Sequence, residues 1–476
     1  RAFIGTSVAA GGLALIGPGA VRAQEAAADP APEQKLKVAH VGVGGKGSSD
    51  TLDLANGNLT QALCDIDRRT LDKMAAELRE RGQSDFRLYT DYREMFEKEK
   101  DLDAVTISTP DHNHAPAALL AMEQDIAVFV QKPFAHTIYE CRLMTTMARQ
   151  RGLASQMGNQ GNSNSRLREA VEVLHAGTIG KVRELHVWTN RPVWPQGMDR
   201  PAGEDQIPDY LDWEAFIGPA PMRPYKGDRT YHDFNWRGWI DFGCGAIGDM
   251  ACHTLNMPSW GLELGYPTSF WLEDSSELKT EAFPHWTIVR YEFPERVSKV
   301  TGETLPALSM TWYDGNDEHM HRPPADLFPD GNVPRTGSLM IGDAGVMVSP
   351  GDYGTDYILF PEDKFAEFEA PERTIPRTSG HMSEFVNAVK GGPAALSNFE
   401  IAGRLLGPAH RQEGRVGRPQ HARGQRARVG PLHRQGLPRG LGAARPRHPG
   451  HLVEPMLAVR PLLPSPGRPR RPGLVR

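Results

Sequence analysis

Three residues have side chains that could act on the oxygen of a carbinol group: Lys132, Asp249 and His253. Lys132 follows the apolar run 127–130 and precedes a proline, so it ends a predicted strand, where doubly wound α/β folds bind ligands. An ammonium group there could hydrogen-bond an oxygen on which negative charge develops. Asp249 and His253 are four residues apart and would share one helix face, where a carboxylate can orient a histidine that accepts a hydroxyl proton. The structural alternatives are a solvated lysine, a helix-capping aspartate and a buried histidine.

A glycine-rich turn indicates the cofactor. The apolar run 37–43 leads into a Gly-x-Gly-x-x-Gly turn that contains Gly42, Gly44, Gly45 and Gly47. Such glycines permit the tight turn, the approach of the backbone to a pyrophosphate and close helix packing. Asp65 ends a second strand about 20 residues on, where its carboxylate could accept hydrogen bonds from the adenosine ribose. We predict NAD, because Asp65 would repel the 2′-phosphate of NADP. NADP is the alternative cofactor, because Arg68 and Arg69 could offset that repulsion. The alternative to a cofactor-binding turn is an ordinary glycine loop.

The ends of two further predicted strands should also face the cofactor. One strand, 102–110, is followed by Asp-His-Asn-His, and the other is 127–130. We expect cofactor contacts from the residues at these ends, namely Thr109, Pro110, His114, Gln131, Lys132 and Pro133. The Asp-His-Asn-His run could bind a metal, but no further Cys or His set has the spacing of a zinc site, so we predict no metal.

Aromatic residues among polar, glycine and proline residues suggest the type of substrate. A tryptophan offers an apolar ring face and a polar edge, which suits the C–H face and hydroxyl rim of a sugar. The candidate substrate-binding residues are Trp194, Trp236, Trp239 and Asn162. Packing in the core or at a dimer interface would explain individual tryptophans as well.

The order of predicted elements divides the chain into two domains. Over residues 35–156, short strands alternate with helices, which predicts a doubly wound parallel sheet. Over residues 157–404 the strands are longer, as in 182–188, 287–293 and 307–312. Their apolar and polar residues alternate, which is typical of a sheet with one face solvated or covered by a partner. We therefore predict an NAD(P)-binding Rossmann domain followed by a substrate-binding α/β domain.

The two ends of the chain differ from the rest. Residues 1–23 are typical of an export signal, in part because of the apolar run 8–16, and residues 24–34 would form a linker; a buried helix is the alternative. An arginine before Arg1 would complete a twin-arginine signal, so we predict a periplasmic protein without stable membrane insertion after signal removal. Residues 405–476 hold 15 Arg, no Lys and two acidic residues. We interpret this tail as an out-of-frame translation or a disordered basic arm, and we expect no nucleic-acid partner.

Together these motifs resemble the Gfo/Idh/MocA oxidoreductases, the group of glucose-fructose oxidoreductase and inositol dehydrogenase, over about residues 35–404. The motifs are the glycine turn, Thr109–His114, Gln131-Lys132-Pro133 and the 249–253 segment preceded by Trp-Arg-Gly-Trp. Gln131 stands where the family has the glutamate of its Glu-Lys-Pro motif. The resemblance implies a Rossmann domain, then an α/β domain with an open, mostly antiparallel sheet that often mediates homo-oligomerisation. It also implies that Lys132, Asp249 and His253 surround the nicotinamide and the substrate, with His253 as proton acceptor.

These expectations combine into an exported NAD(P)-dependent oxidoreductase. It would transfer a hydride between the nicotinamide and a carbinol carbon of a sugar, polyol or glycoside. One alternative is an NAD-using glycosidase with no net redox change. The other is a non-catalytic carbohydrate-binding protein, which would bind sugar without needing Lys132 or His253.

Overall fold

The protein is described by a computed structural model over residues 35–406 and 427–428. Its first sheet is parallel and, in the described chain, has six strands in the order β3-β2-β1-β4-β5-β6. The strands are β1 (Lys37–Val41), β2 (Leu59–Cys64), β3 (Arg87–Tyr89), β4 (Ala104–Ile107), β5 (Ala127–Gln131) and β6 (Ser155–Gly158). Strands β4, β5 and β6 are buried throughout, as expected when helices cover both faces. The order is that of a dinucleotide-binding Rossmann sheet, which confirms the predicted fold of this part.

Helices alternate with these strands. They are α1 (Lys46–Ala55), α2 (Arg68–Glu80), α3 (Tyr92–Lys98), α4 (His114–Glu123) and α5 (Ile138–Arg151). Helix α5 begins with a capping box, in which Thr137 and Glu140 exchange side-chain to backbone hydrogen bonds. It ends at Gly152, which adopts the left-handed conformation at φ 63°. The sequence pattern predicts a helix over 138–151 that stops at Gly152, and these local signals are why its bounds agree with those of α5.

The second sheet belongs to the α/β domain that follows. Its strands are β7 (Val182–Trp188), β8 (Ser269–Ser275), β9 (Thr287–Phe293), β12 (Leu308–Tyr313), β13 (Gly337–Gly342), β14 (Val346–Pro350), β15 (Ile358–Phe360) and β16 (Ala427–Arg428). A separate hairpin is formed by β10 (Arg296–Val297) and β11 (Thr304–Leu305). Among the described residues the order is β15-β14-β13-β7-β12-β9-β8-β16. Only β7 and β12 pair in parallel there, so the sheet is mostly antiparallel, as predicted.

Helices cover one face of the second sheet. They are α6 (Ser165–His175), α8 (Gly245–Thr254) and α9 (Asn256–Gly261), whereas α7 (Trp213–Ile217) packs in a separate aromatic cluster with Tyr231 and Phe242. One apolar cluster runs from Val128 in the first sheet through Ala170 and Ile247 to Trp312 in the second. Because the two domains share this core, the segment between the sheets is held firmly, and α8 is the helix that carries Asp249 and His253.

Two later helices return to the first domain. They are α10 (His381–Val389) and α11 (Phe399–Leu406). The Phe385 ring lies 5.8 Å from that of Phe129, and the Phe399 ring lies 4.5 Å from that of Phe134. The structure thus differs from the expected division at residue 156, because that boundary falls inside β6 and the segment 157–404 contributes to both domains. Helical periodicity shows that a helix has an apolar face but not which surface the face will cover.

The expected signal (1–23), linker (24–34) and most of the tail (405–476) lie outside the described residues. Those expectations stay predictions. Within the described ranges, no helix combines the length and the apolar composition needed to cross a bilayer.

Candidate active site

The glycine turn joins β1 to the first turn of α1. Gly42 has φ 78°, and a Cβ added at Gly47 would lie 1.9 Å from the Gly42 carbonyl oxygen, so a side chain at position 47 would separate helix from strand. Gly45 precedes α1 at φ 52° and supplies no side-chain cap, and a Cβ there would meet open space. The first N–H groups of α1 therefore point to an open cradle, which suits an anionic pyrophosphate.

Asp65 lies beside this turn. Its two carboxylate oxygens accept hydrogen bonds from the backbone N–H groups of Val43 at 2.9 Å and Asp67 at 3.0 Å. Burial raises the pKa of Asp65 to about 6. Each carboxylate oxygen can accept more than one hydrogen bond, so the ribose hydroxyls can still be bound. Arg69, which was expected to offset a 2′-phosphate, donates to the Asp67 carboxylate at 2.7 Å and lies over the Tyr210 ring at 3.6 Å.

A cavity of about 430 Å³ connects the turn with the strand ends. Most of the residues predicted to contact the cofactor line it, namely Gly42, Gly44, Gly45, Asp65, Thr109, Pro110, Gln131 and Lys132. The second domain contributes Phe216, Trp236 and Arg237 to the same wall. The cavity is therefore lined by both domains, and it places Lys132 and the glycine turn on one surface.

An ion pair stands at the Lys132 end of this cavity. The Lys132 ammonium donates to the Asp249 carboxylate at 2.9 Å, and the guanidinium of Arg237 lies 3.5 Å from the same oxygen. Burial opposes the charge on Lys132, but the Asp249 charge outweighs it and raises the pKa of the lysine. Burial also opposes the charge on Asp249, and the two cations outweigh it, so the pKa of this carboxyl is lowered. At neutral pH the ammonium is a hydrogen-bond donor, not a base.

His253 lies one helical turn after Asp249, as the spacing predicts, but the Asp249 carboxylate pairs with Lys132 instead of orienting the imidazole. His253 is 3% exposed, and its Nδ1 has no hydrogen-bond partner among the described residues. Burial, assisted by the charge of Lys132, lowers the pKa of His253 to about 3. The imidazole is neutral in this arrangement and has an unused nitrogen, but it is a weak base until water or substrate reaches it.

Asp111 is the first residue of the Asp-His-Asn-His run, and it was not among the residues predicted to act on the substrate or to contact the cofactor. It is 2% exposed, its Oδ2 accepts from the backbone N–H of Cys244 at 3.0 Å, and Oδ1 has no partner within the described part of the chain. Burial, reinforced by the negative charge of Asp249, raises the pKa of Asp111 to about 7. Its position after Pro110, at the end of β4, was the signal that could have found it.

The two histidines near Asp111 support the site. The ring nitrogens of His112 lie 2.8 Å and 3.2 Å from the carbonyl oxygens of Phe216 and Phe242, and they tie the first domain to the second. The ring nitrogens of His114 lie 2.7 Å and 2.9 Å from the carbonyl oxygens of Pro133 and Thr109. His114 is fully buried. The structure thus places His114 and Pro133 in the layer that holds the strand ends, rather than on the cavity surface where we expected them.

The predicted substrate residues are not brought to one surface. Trp236 lines the cavity, and the Arg237 guanidinium lies 4.2 Å from its ring centre. Trp239 is 1% exposed and donates through Nε1 to the Thr230 carbonyl, so it is a core residue, contrary to expectation. Trp194 is also buried and donates to Gln196. Buried and surface tryptophans look alike in a sequence, because a core indole also needs a polar partner for its N–H.

Asn162 lies in a different place, on the α9 side of the site. It is 1% exposed, and its amide nitrogen lies 3.5 Å from Asn256 Oδ1. Its own Oδ1 has no partner among the described residues. The role predicted for Asn162 stays a prediction, and its unused oxygen is compatible with it.

Comparisons with known proteins agree with this geometry. A family model described as "Oxidoreductase family, NAD-binding Rossmann fold" matches residues 36–159, and one described as "Oxidoreductase family, C-terminal alpha/beta domain" matches residues 186–320. Together they match more than half of the chain. The WlbA dehydrogenase from Bordetella pertussis, solved with NADH and UDP-GlcNAcA, has a similar fold at a TM-score of 0.53 and 13% identity, over 78% of this chain and 94% of that one.

Two curated relatives are similar over a shorter stretch. A glycosyl hydrolase family 109 protein from Shewanella sp. (strain W3-18-1) is 28% identical over 154 residues, which is 31% of this chain and 33% of that protein. The 2,7-anhydro-N-acetylneuraminate hydratase of Mediterraneibacter gnavus is 26% identical over 165 residues, 35% of this chain and 39% of that protein. The chain thus spans only about a third of the length of the curated relatives it matches first.

Proposed function

Because the chain belongs to the Gfo/Idh/MocA family of NAD-binding oxidoreductases, we propose that it transfers a hydride between NAD and a carbinol carbon of a sugar, polyol or glycoside. The observation that carries this proposal is the shared cavity. One surface holds an open glycine cradle at a helix N-terminus and, at the other end, Lys132, which is ion-paired to Asp249. A pyrophosphate site connected to a fixed ammonium suits hydride transfer at a carbinol, because the ammonium can stabilise the charge that develops on the oxygen.

The residues of the cradle fit NAD. A side chain at Gly47 would collide with the backbone of Gly42, while the space in front of Gly45 is open. When bound, the nicotinamide would accept or return the hydride. Asp65 would bind the adenosine ribose, and α1 would face the pyrophosphate.

The ion-paired residues would act on the substrate oxygen. Lys132, held by Asp249, would donate a hydrogen bond to the oxygen and stabilise the negative charge that develops as the hydroxyl proton leaves. The neutral His253 would accept that proton through its unpartnered nitrogen once the substrate hydroxyl hydrogen-bonds to it. Arg237 keeps Asp249 ionised and so keeps Lys132 in place.

Product analysis tests the proposal. The native protein is incubated with NAD and a set of sugars, polyols and glycosides, and NADH and the organic products are quantified together. We expect one NADH for each carbonyl product, and a loss of product in the Lys132→Ala variant. No turnover of any member of the set, with cofactor bound, would contradict it.

A second candidate function is supported by the glycosyl hydrolase family 109 relatives. In an NAD-using glycosidase the hydride would be taken from the sugar ring and returned within one turnover, so the net reaction is hydrolysis. The same incubation separates the two functions. A free sugar released from a glycoside with no net NADH would favour the glycosidase.

Export and oligomerisation complete the proposal. Export is supported by the composition of residues 1–23, and N-terminal sequencing of protein from a periplasmic extract would test it.

A homo-oligomer is supported by the second sheet. Ile288, Arg290 and Glu292 of β9 alternate with buried residues and stay half-exposed on the other face of the sheet. Leu272 of β8 is 44% exposed. The mass of the protein in solution tests the homo-oligomer.

A further inference from the structure

A loop of the second domain covers His253. Residues 351–354, which we call the cover loop, follow β14 directly. The Tyr353 ring centre lies 4.7 Å from that of His253, with the rings at 69°. A Cβ added at Gly161 would lie 2.5 Å from the Tyr353 carbonyl oxygen, so the loop backbone also rests on the turn Gln160–Ser163. The cover loop therefore closes the space between that turn and α8.

Buried polar atoms around the cover loop have no partner. These atoms are His253 Nδ1, Asn162 Oδ1 and Asp352 Oδ1, and none of them makes a hydrogen bond within the described part of the chain. Leaving buried polar atoms unsatisfied costs free energy, so such atoms usually mark a place where a ligand or water binds. They include a carboxylate oxygen, an amide oxygen and an imidazole nitrogen. Hydroxyl groups, each of which is both donor and acceptor, can satisfy all three.

The charges at the cover loop are already paired. Arg191 donates to Asp352 Oδ2 at 2.9 Å, and a second nitrogen of its guanidinium donates to the Asn190 side chain. The side chains of Arg191 and Asp352 are only 24% and 18% exposed. A ligand carboxylate would compete with Asp352 for the guanidinium and would bring a second negative charge beside it. A neutral ligand would leave the pair intact.

We propose that the cover loop and the polar groups beside it form the substrate subsite, and that the Arg191–Asp352 pair selects a neutral, hydroxyl-rich sugar over a sugar acid. The assignment rests on the proposed function and names its substrate class. Tyr353, which is 47% exposed, supplies an aromatic face beside His253. Gly351 and Gly354 bracket it at φ 95° and 62°, conformations that glycine adopts without strain.

The test compares binding of neutral sugars with binding of their uronic acids. Calorimetric titrations with NAD present use matched pairs, glucose with glucuronate and galactose with galacturonate, together with their methyl glycosides. Asp352→Asn removes the competing charge. Asp356→Asn is the matched control, because Asp356 lies two residues beyond the cover loop and pairs with the exposed Arg166 at 3.4 Å.

We expect the native protein to bind the neutral member of a pair about tenfold more tightly than the acid. In Asp352→Asn the ratio should fall by about tenfold, because Arg191 becomes available to the sugar carboxylate. Asp356→Asn should keep the native ratio. A native preference for the acid, an unchanged ratio in Asp352→Asn, equal shifts in both variants, or no binding of either class would each overturn the inference.

A second variant and a separate measurement of turnover test the subsite if Asp352→Asn cannot be used. If Asp352→Asn does not fold, Tyr353→Ala takes its place, and neutral-sugar affinity should fall about tenfold because a stacking face is lost. Unchanged affinity would overturn the inference. Binding is measured separately from turnover, so selective binding without hydride transfer would refute the proposed function and leave the subsite standing.

Discussion

The Lys132–Asp249 pair predicts an asymmetry between two substitutions. Asp249→Asn removes the negative charge that faces both Lys132 and Arg237, so two partly buried cations lose their partner. Lys132→Met removes one cation and leaves Asp249 with Arg237 at 3.5 Å. Breaking a buried pair costs about 3–5 kcal/mol, and the Lys132 side chain is 19% exposed, so we expect about 3 kcal/mol for Asp249→Asn. For Lys132→Met we expect about 1–2 kcal/mol, because the remaining charge keeps a partner.

Urea unfolding at pH 7 measures both free energies, and the double variant measures the coupling. Lys98→Met is the control, because its pair with Glu94 is exposed and should contribute less than about 1 kcal/mol. The two variants should differ in unfolding free energy but not in turnover. Both should lose about 10²-fold in kcat, while the affinity for NAD changes little. Equal costs for the two variants, or a greater cost for Lys132→Met, would refute the reasoning that Arg237 shares the carboxylate.

Three further predictions follow from the same site. Burial raises the pKa of Asp111 from 3.8 to about 7, so its contribution to stability is complete below about pH 4 and is lost as the pH rises through 7. Asp111→Asn should therefore lose less unfolding free energy than the native protein between those pH values, and parallel pH curves would contradict this. Gly47→Ala should weaken NAD binding more than tenfold, because its Cβ would lie 1.9 Å from the Gly42 carbonyl oxygen. Gly57→Ala meets open space but is strained at φ 78°, so it should lose stability and still bind NAD like the native protein in fluorescence titrations. NAD should bind more tightly than NADP, because Asp65 would repel a 2′-phosphate, and the reverse order of dissociation constants would exclude this assignment.

The first domain could be predicted from the sequence because its signals are local. Glycine spacing, strand-ending prolines and helix caps each act within a few residues, and the bounds of α5 agree with the prediction. The same holds in the second domain for α6, which the sequence pattern predicts over 165–175. The sequence pattern predicts no element between residues 82 and 101, so β3 and α3 were missed, because each has too few residues for a clear period. The spacing of Asp249 and His253 also predicted a shared helix correctly.

The contacts that complete the site could not be predicted, because they join residues far apart in the chain. Arg237 reaches Asp249 from a turn of the second domain, and Tyr353 reaches His253 from a loop after β14. No local pattern indicates either contact. Trp239 shows the opposite failure, because its polar neighbours suggested a sugar site while its indole N–H is satisfied in the core.

Transfer of deuterium from substrate to cofactor is the direct test of hydride transfer by this protein. Sugars, polyols and glycosides deuterated at their carbinol carbons are incubated with the native protein and NAD, and the cofactor is analysed by mass spectrometry. We expect the nicotinamide of a dehydrogenase to gain one deuterium together with net formation of NADH. In a glycosidase the nicotinamide would carry the deuterium only during turnover. In either case Lys132→Ala should slow the transfer about 10²-fold. Products that form with no deuterium on the nicotinamide, either at the end of the reaction or in samples quenched during turnover, would exclude hydride transfer to the cofactor.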